Sequence, residues 1–170
     1  VIKVILYQDP KHFWFDKVVH FFTGSWYYHA ALWIDGIQYE SAAYFSRDGV
    51  WHEGVMGRTI PQPHGDIFVP TIPITEDQKE KIRKFCERRL YAPYNFPKLV
   101  GMMIIYPFRW FFKAIRWVPF SRAVFGYICS EFVDRAFKAA GIDLLPGERE
   151  GYTSPGDLTR SRLLRREENG

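Results

Sequence analysis

Cys129 is the residue of this chain best placed to do chemistry. It lies in Tyr127-Ile128-Cys129-Ser130-Glu131-Phe132-Val133, where an apolar, strand-like approach meets the first turn of a helix. From there Phe132, Val133, Ala136, Phe137 and Ala140 recur at helical spacing, and Gly141 supplies a stop. A thiol at such a junction faces unsatisfied backbone N–H groups and the positive end of the helix dipole. Both favour thiolate over thiol. The plainer reading is a buried structural cysteine, since free Cys is among the most buried residue types. A base within reach decides between the two.

The hairpin signal Asp35-Gly36 offers that base. As a two-residue turn it sets Ile34 against Ile37, Trp33 against Gln38, Leu32 against Tyr39, Ala31 against Glu40 and His29 against Ala42. Side chains alternate, so His29, Ala31 and Trp33 share a face with Gln38, Glu40 and Ala42. The opposite face, with Ala30, Leu32, Ile34, Ile37, Tyr39 and Ser41, is expected to be mostly core. His29 and Glu40 then become diagonal neighbours on the face away from the core. A carboxylate there would hold one ring proton and leave the second nitrogen to face the thiol. A solvated cross-strand pair has the same spacing.

The remaining titratable residues are less suggestive. His12, His20, His52 and His64 are dispersed without H-x-x-x-H spacing, so no zinc site is expected. Cys86 and Cys129, with 42 residues between them, form neither a disulfide framework nor a C-x-x-C motif. Cys86 shares the apolar side of a predicted helix with Ile82, Phe85 and Leu90 and reads as structural. There is no G-x-S-x-G elbow and no phosphate-binding glycine loop. A thiol–imidazole pair needs no cofactor, and none is expected.

These residues need elements to position them. At 170 residues and 47% hydrophobic content, the chain is long enough for one domain with a sizeable core. The alternation of Val1–Tyr7 predicts a strand, too short and too regular for a signal peptide's apolar region. A helix is predicted over Trp14–Phe22, then strands over His29–Ile34, Ile37–Ala42, Gly49–Val55 and Asp66–Val69. Thr75-Glu-Asp-Gln78 is a capping box for a helix running to about Tyr91, and the Cys129 helix follows later. An antiparallel meander followed by helices predicts an α+β domain. No stretch reaches the 18 or so apolar residues of a spanning helix, so the chain is expected to be soluble or peripheral to a membrane.

Residues 106–122 carry Arg109, Lys113, Arg116 and Arg122 and no acid, which equals the net charge of +4 of the whole chain. Arg109, Lys113 and Arg116 share a helical face, while Phe108, Trp110, Phe111, Phe112, Ile115 and Trp117 supply apolar surface. Such a segment reads as a membrane-surface element or as a lid over an apolar substrate groove. A core helix whose cationic side chains snorkel to water has the same composition. Nucleic acid is the least favoured partner, because the basic cluster is a single patch without a stacking platform. Residues 159–170 read as a solvated C-terminal tail.

A His opening a strand (His29-Ala30-Ala31-Leu32-Trp33-Ile34), a Glu in the next (Tyr39-Glu40-Ser41-Ala42) and a much later Cys-Ser-Glu heading a helix resemble the circularly permuted NlpC-type papain-like cysteine hydrolases. The YiiX-like branch is the nearest likeness, and lecithin–retinol acyltransferase-like proteins are relatives. Ile72-Pro73-Ile74-Thr75-Glu76-Asp77-Gln78, Ala92-Pro93-Tyr94-Asn95 and Thr153-Ser154-Pro155-Gly156-Asp157-Leu158 extend the resemblance, with Asn95 where Asp is usual. It implies a papain-like antiparallel sheet packed on helices within residues 1–158, with Cys129 as nucleophile, His29 as base and later acid, and Glu40 as the orienting group. Tyr94 matches a tyrosine near the nucleophile that would help bind an oxyanion. Backbone N–H groups at Cys129 and Ser130 would complete that site. The long spacing from Tyr94 to Cys129 makes 96–126 an expected insertion.

The resemblance implies acyl-enzyme chemistry on an amide bond in a peptide or peptidoglycan peptide. Two alternatives stand beside it. One is a lipid-directed thiol acylhydrolase or acyltransferase, for which the basic aromatic segment would deliver acyl chains. The other is a non-catalytic module that docks on an anionic membrane surface or on a protein partner.

Overall fold

A computed structural model describes residues 1–8, 25–45, 49–105, 126–147 and 153–167. The expected helix over Trp14–Phe22 and the side chains of Arg109, Trp110, Lys113, Arg116 and Trp117 lie outside the described residues. In chain order the described elements are β1 (Ile2–Gln8), β2 (Tyr27–Ile34), β3 (Ile37–Phe45), β4 (Trp51–Thr59), β5 (Asp66–Pro70), α1 (Glu76–Arg88), α2 (Phe96–Ile105), α3 (Cys129–Ala139), α4 (Pro155–Leu158) and β6 (Leu164–Arg166). The strands form one antiparallel sheet in the order β4-β3-β2-β1-β5-β6. The α+β expectation holds: α3 packs against β2, β3 and α1. Among the described residues, no helix is long and apolar enough to cross a membrane.

The β2–β3 turn has the geometry its residues predict. Asp35 and Gly36 both have positive φ, 47° and 93°, as a two-residue hairpin with right-twisted strands requires. Asp35 also ties the turn to α1 through Arg83 at 2.7 Å and Lys79 at 3.3 Å. The register is the expected one for Ile34–Ile37, Trp33–Gln38 and Leu32–Tyr39, and there the pairing ends. Beyond it β3 stays paired with β4 up to Phe45–Trp51, while β2 follows β1 to its own start. The predicted partners Ala31–Glu40 and His29–Ala42 are therefore not ladder partners. β2 and β3 part, and a notch opens between them.

One face of the sheet carries Val4, Leu6, Ala30, Leu32, Tyr39 and Val55 against Ile82 and Cys86 of α1 and Phe132, Val133, Ala136 and Phe137 of α3. Ile37, expected in this core, is instead 36% exposed, because it sits beside the turn at the sheet's end. A second correction concerns the opposite face. Ile5, Ala31, Gln38, Glu40 and Ala42 are all buried, so the face bearing His29 and Glu40 does not look out to solvent. The expected tail also differs. Leu164–Arg166 pairs with Phe68–Pro70 as an edge strand, and Leu164 joins the core.

Capping explains where the helices begin. Thr75 and Gln78 form the predicted reciprocal box at α1, and Ser154 and Asp157 form a second at α4. α3 starts at Ile128 with no side-chain cap, so its first N–H groups are left for another acceptor. The lead-in to α3 is held by backbone pairing. Tyr127 N–H donates to the Pro93 carbonyl at 3.2 Å, and Asn95 N–H donates to the Tyr127 carbonyl at 3.3 Å, in a parallel bridge. Gly126 permits this approach: its φ is +94° and an added Cβ would lie 2.1 Å from the Pro93 carbonyl oxygen.

Gly126→Ala therefore combines backbone strain with a backbone clash. It should destabilise the fold by about 1–3 kcal/mol, or roughly 3–10 °C in Tm for a chain of this size. Gly141→Ala, at φ +76° with nothing within 4 Å of the added carbon, should cost less. Equal losses in a thermal melt of the two variants would contradict a tight Pro93–Gly126 crossing.

Candidate active site

Ala30 shows what the parting of β2 and β3 does. Ile34 and Leu32 turn their N–H groups toward β3 in the hairpin ladder, and Ala30, two residues further on, turns its N–H the same way. β3 is no longer there to accept it. The sulfur of Cys129 faces it, as it faces the N–H of Ser130 at the uncapped start of α3, and both N–H groups lower the thiol pKa. The thiol thus sits in the notch, 6% exposed as a residue, and acts as the acceptor for one strand donor and one helix donor. Both stabilise negative charge on sulfur.

Several anchors hold Cys129 there. The Ser41 hydroxyl of β3 donates to the Tyr127 carbonyl at 2.7 Å. The Tyr127 backbone is bridged to Pro93 and Asn95, and the Ser130 hydroxyl donates to the Thr153 carbonyl beside α4. Ser130 is fully buried, so its side chain is structural. Its expected contribution to an oxyanion site is left to its backbone N–H.

His29 reaches the same notch from β2. The register between β1 and β2 slips by one residue, from Tyr7–His29 to Gln8–Tyr27. The slip sends Tyr27 to the core face, where it packs on the hydrophobic cluster, while His29 keeps the other. The His29 Nε2 lies 2.7 Å from Glu40 Oε2, and the ring also interacts with the Cys129 thiol by hydrogen bonding and charge. The side chains of His29 and Glu40 are 16% and 10% exposed. At that burial the carboxylate is not a loosely solvated neighbour.

The charges follow from these contacts. Burial alone would push the imidazole toward its neutral form, but its hydrogen bonds and charge interactions with Cys129 and Glu40 outweigh burial and hold its pKa well above the ordinary histidine value. Burial likewise opposes a thiolate at Cys129. The His29 hydrogen bond and positive charge, with the Ala30 and Ser130 N–H groups, bring its pKa below that of an ordinary thiol. Burial raises the Glu40 pKa, yet the bond and charge of His29, with Arg58 and Gln38, leave it lowered. All three shifts act in one sense, toward thiolate, imidazolium and carboxylate.

Tyr94 is joined to the lead-in of α3 by the parallel bridge to Tyr127, close enough to feel the charge on Cys129. Burial, then the charge on Cys129, raise its pKa well above that of a free phenol, so it remains a hydroxyl. The structure thus brings together Cys129, His29, Glu40 and Tyr94. It adds Tyr7 and Tyr28, whose rings lie 5.5 and 6.4 Å from the His29 ring, and Arg58, whose guanidinium is 3.5 Å from Glu40 Oε1. Tyr7 carried no signal, because its place depends on pairing across residues distant in sequence. Arg58 was legible only through the β3–β4 register that sets it opposite Gln38.

Glu131, the last residue of Cys-Ser-Glu, is buried and makes a Lys98 contact of 2.8 Å and an Arg135 contact of 2.9 Å. Cys86, on α1, is fully buried, and burial pushes its thiol pKa up. Among the described residues, no group of His, Cys, Asp and Glu is arranged to hold a metal ion.

Iodoacetamide should therefore separate the two cysteines. Cys129 should alkylate well below the ~8.5 of an ordinary thiol, and Cys86 only on unfolding. The sign follows from the shifts: as pH falls through the lowered thiol pKa, thiolate and rate are lost together. His29→Ala should move that loss upward and cut the rate near pH 6 by at least about tenfold. Peptide mass mapping against pH checks it, and a pH profile unchanged by His29→Ala would refute the pairing.

The chain has no match among protein-family models, curated proteins or solved structures, so the reading of this site rests on its geometry.

Proposed function

We propose that the chain is a cysteine hydrolase that cleaves an amide bond through an acyl-enzyme, with a papain-like, circularly permuted NlpC-type arrangement of its YiiX-like branch. The observation that carries this reading is the position of His29, bonded on one side to Glu40 at 2.7 Å and on the other to Cys129 at a helix start. A nucleophile, its base and the base's orienting group are the minimum set for such chemistry. The order His, Glu, Cys along the chain suits the permuted arrangement.

The chemistry proceeds in two stages. The Cys129 thiolate attacks the carbonyl carbon, and the C–O π electrons move onto oxygen. Backbone N–H groups at the start of α3 and the Tyr94 hydroxyl are the donors suited to that oxyanion. Collapse of the intermediate expels the amine, which takes the proton from imidazolium His29. Neutral His29 then removes a proton from water, whose oxygen attacks the thioester. The acid leaves, and the thiolate–imidazolium pair is restored. Glu40 keeps the imidazole in the tautomer and orientation that both stages need. The substrate class favoured is a peptide or peptidoglycan peptide.

A second reading, acyl transfer from a lipid, has one structural feature in its favour. The Tyr94 ring is followed by Phe96 at 5.0 Å and then Trp51 at 6.2 Å, and the last two are 38% and 44% exposed. An aromatic track leaving the nucleophile suits an apolar acyl group.

Trapping decides between them. The protein is incubated separately with short peptide amides, murein peptides and phospholipid vesicles, and acyl adducts on Cys129 are read by mass spectrometry. The proposal expects adducts and turnover from the peptides, abolished by Cys129→Ser and His29→Ala. Glu40→Gln should lower kcat/KM by roughly 10²-fold or more. Adducts from vesicles alone would favour the lipid reading. No adduct from any source, with vesicle binding lost in Arg109→Glu/Arg116→Glu, would leave a non-catalytic membrane module.

A further inference from the structure

Glu40 is held from more sides than the triad requires. It lies on one face of β3 with Gln38, two residues earlier, whose amide is within reach of its carboxylate and favours the charged form. Gln38 is in turn fixed by Tyr7 of β1, whose hydroxyl donates to Gln38 Oε1 at 2.9 Å. Gln38 and Glu40 are 4% and 7% exposed, so bulk water does not substitute for these bonds.

The order of donors gives the chain a direction. A phenol hydroxyl gives up one proton, and here it goes to the amide oxygen. With that oxygen occupied, the Gln38 amide presents its N–H₂ to Glu40. If the amide flipped, its oxygen would meet the carboxylate and repel it, leaving Tyr7 opposite two hydrogens. Burial, then the Glu40 charge, hold the Tyr7 pKa up at about 12, so its hydroxyl remains protonated across the range in which an enzyme works.

We propose that Tyr7 and Gln38 are positioning residues for the proposed hydrolase: Tyr7 fixes the Gln38 amide, the amide holds the Glu40 carboxylate against His29 Nε2, and the reactivity of Cys129 depends on both. The inference rests on the thiol–imidazole reading of the site. Neither residue touches the reacting atoms through this route, since each acts on Cys129 through Glu40 and His29. The other charged or titratable groups facing the triad are Arg58 of β4, Tyr28 of β2 and Tyr94 beside α3. Arg58 approaches the other Glu40 oxygen, at 3.5 Å, and its side chain is 42% exposed. It is a second, more solvent-screened support of the same carboxylate, and the variants below leave it in place. Losing the amide donor should weaken the carboxylate, then the imidazolium, then the thiolate, in that order.

The test is the pH dependence of Cys129 alkylation by iodoacetamide in the full 170-residue chain, for wild type, Tyr7→Phe, Gln38→Met and the double variant. Thermal melts run alongside. The expected result is an acid limb displaced upward by about half a pH unit or more in each single variant, an approximately threefold slower reaction on the limb. The double variant should match Gln38→Met, because Tyr7 acts through the amide. Loss of Tm with an unmoved limb would assign both residues to packing and overturn the inference. Additive displacements would overturn the route through Gln38. A wild-type protein lacking a limb below the ordinary thiol range would fail at the triad itself, which is a different failure from a limb that His29→Ala removes and Tyr7→Phe leaves alone.

Discussion

The site depends on β2 and β3 ceasing to pair after Leu32–Tyr39. A sheet edge normally demands that its N–H groups be met, and an unmet buried donor costs on the order of 1–3 kcal/mol. Here Ala30 meets the sulfur of Cys129, and Ser41 on the departing strand meets the Tyr127 carbonyl just before it. The start of α3 thus takes the place that a continued ladder would have filled. One interruption supplies a donor to the thiolate and anchors the backbone on which that thiolate is carried. It also leaves room for an imidazole and a carboxylate from the two strands to meet.

The helix end reinforces this. α1 and α4 each spend a Ser or Thr side chain on capping, whereas α3 begins at Ile128, which has none to offer. An uncapped N-terminus is a deficit worth about 1 kcal/mol if nothing replaces the cap. The Cys129 sulfur lies where it can take that part. The sulfur gains a dipole and an N–H, and the helix gains an acceptor, so reactivity and helix stability are linked through one atom. Protonating Cys129 would weaken both.

Much of this was legible in the residues, and the omissions have physical causes. Asp35-Gly36 fixed the hairpin, because only a few residue types accept positive φ at both turn positions. From the turn alone, period-two alternation placed His29 and Glu40 on one face. Helical spacing after Cys129 and the Gly141 stop located α3 to within a residue or two. The sequence could not show that this ladder breaks after Leu32–Tyr39, since α3, which packs against both strands there, arrives from far along the chain. Burial of the His29 face was missed for a related reason. Alternation reports which residues share a face, but not what is laid over it. Leu164–Arg166 was read as tail because three residues carry too little periodicity to declare a strand, and only β5 makes them one.

Glu131 poses the remaining electrostatic question, because a carboxylate two residues after Cys129 would oppose a thiolate there. Its position in the first turn of α3 suits the helix dipole but adds negative charge close to the sulfur. Lys98 and Arg135 sit on it at 2.8 and 2.9 Å, and Lys98 is itself only 5% exposed. Buried ion pairs of this kind are poor evidence of stability, since desolvation consumes much of what the attraction returns. Their effect here is better seen in what they align. Lys98 belongs to α2, which starts two residues after Tyr94, so the pair fixes the α2 start against the α3 start. The same contact that pairs Glu131 therefore helps hold Tyr94 and Cys129 in register.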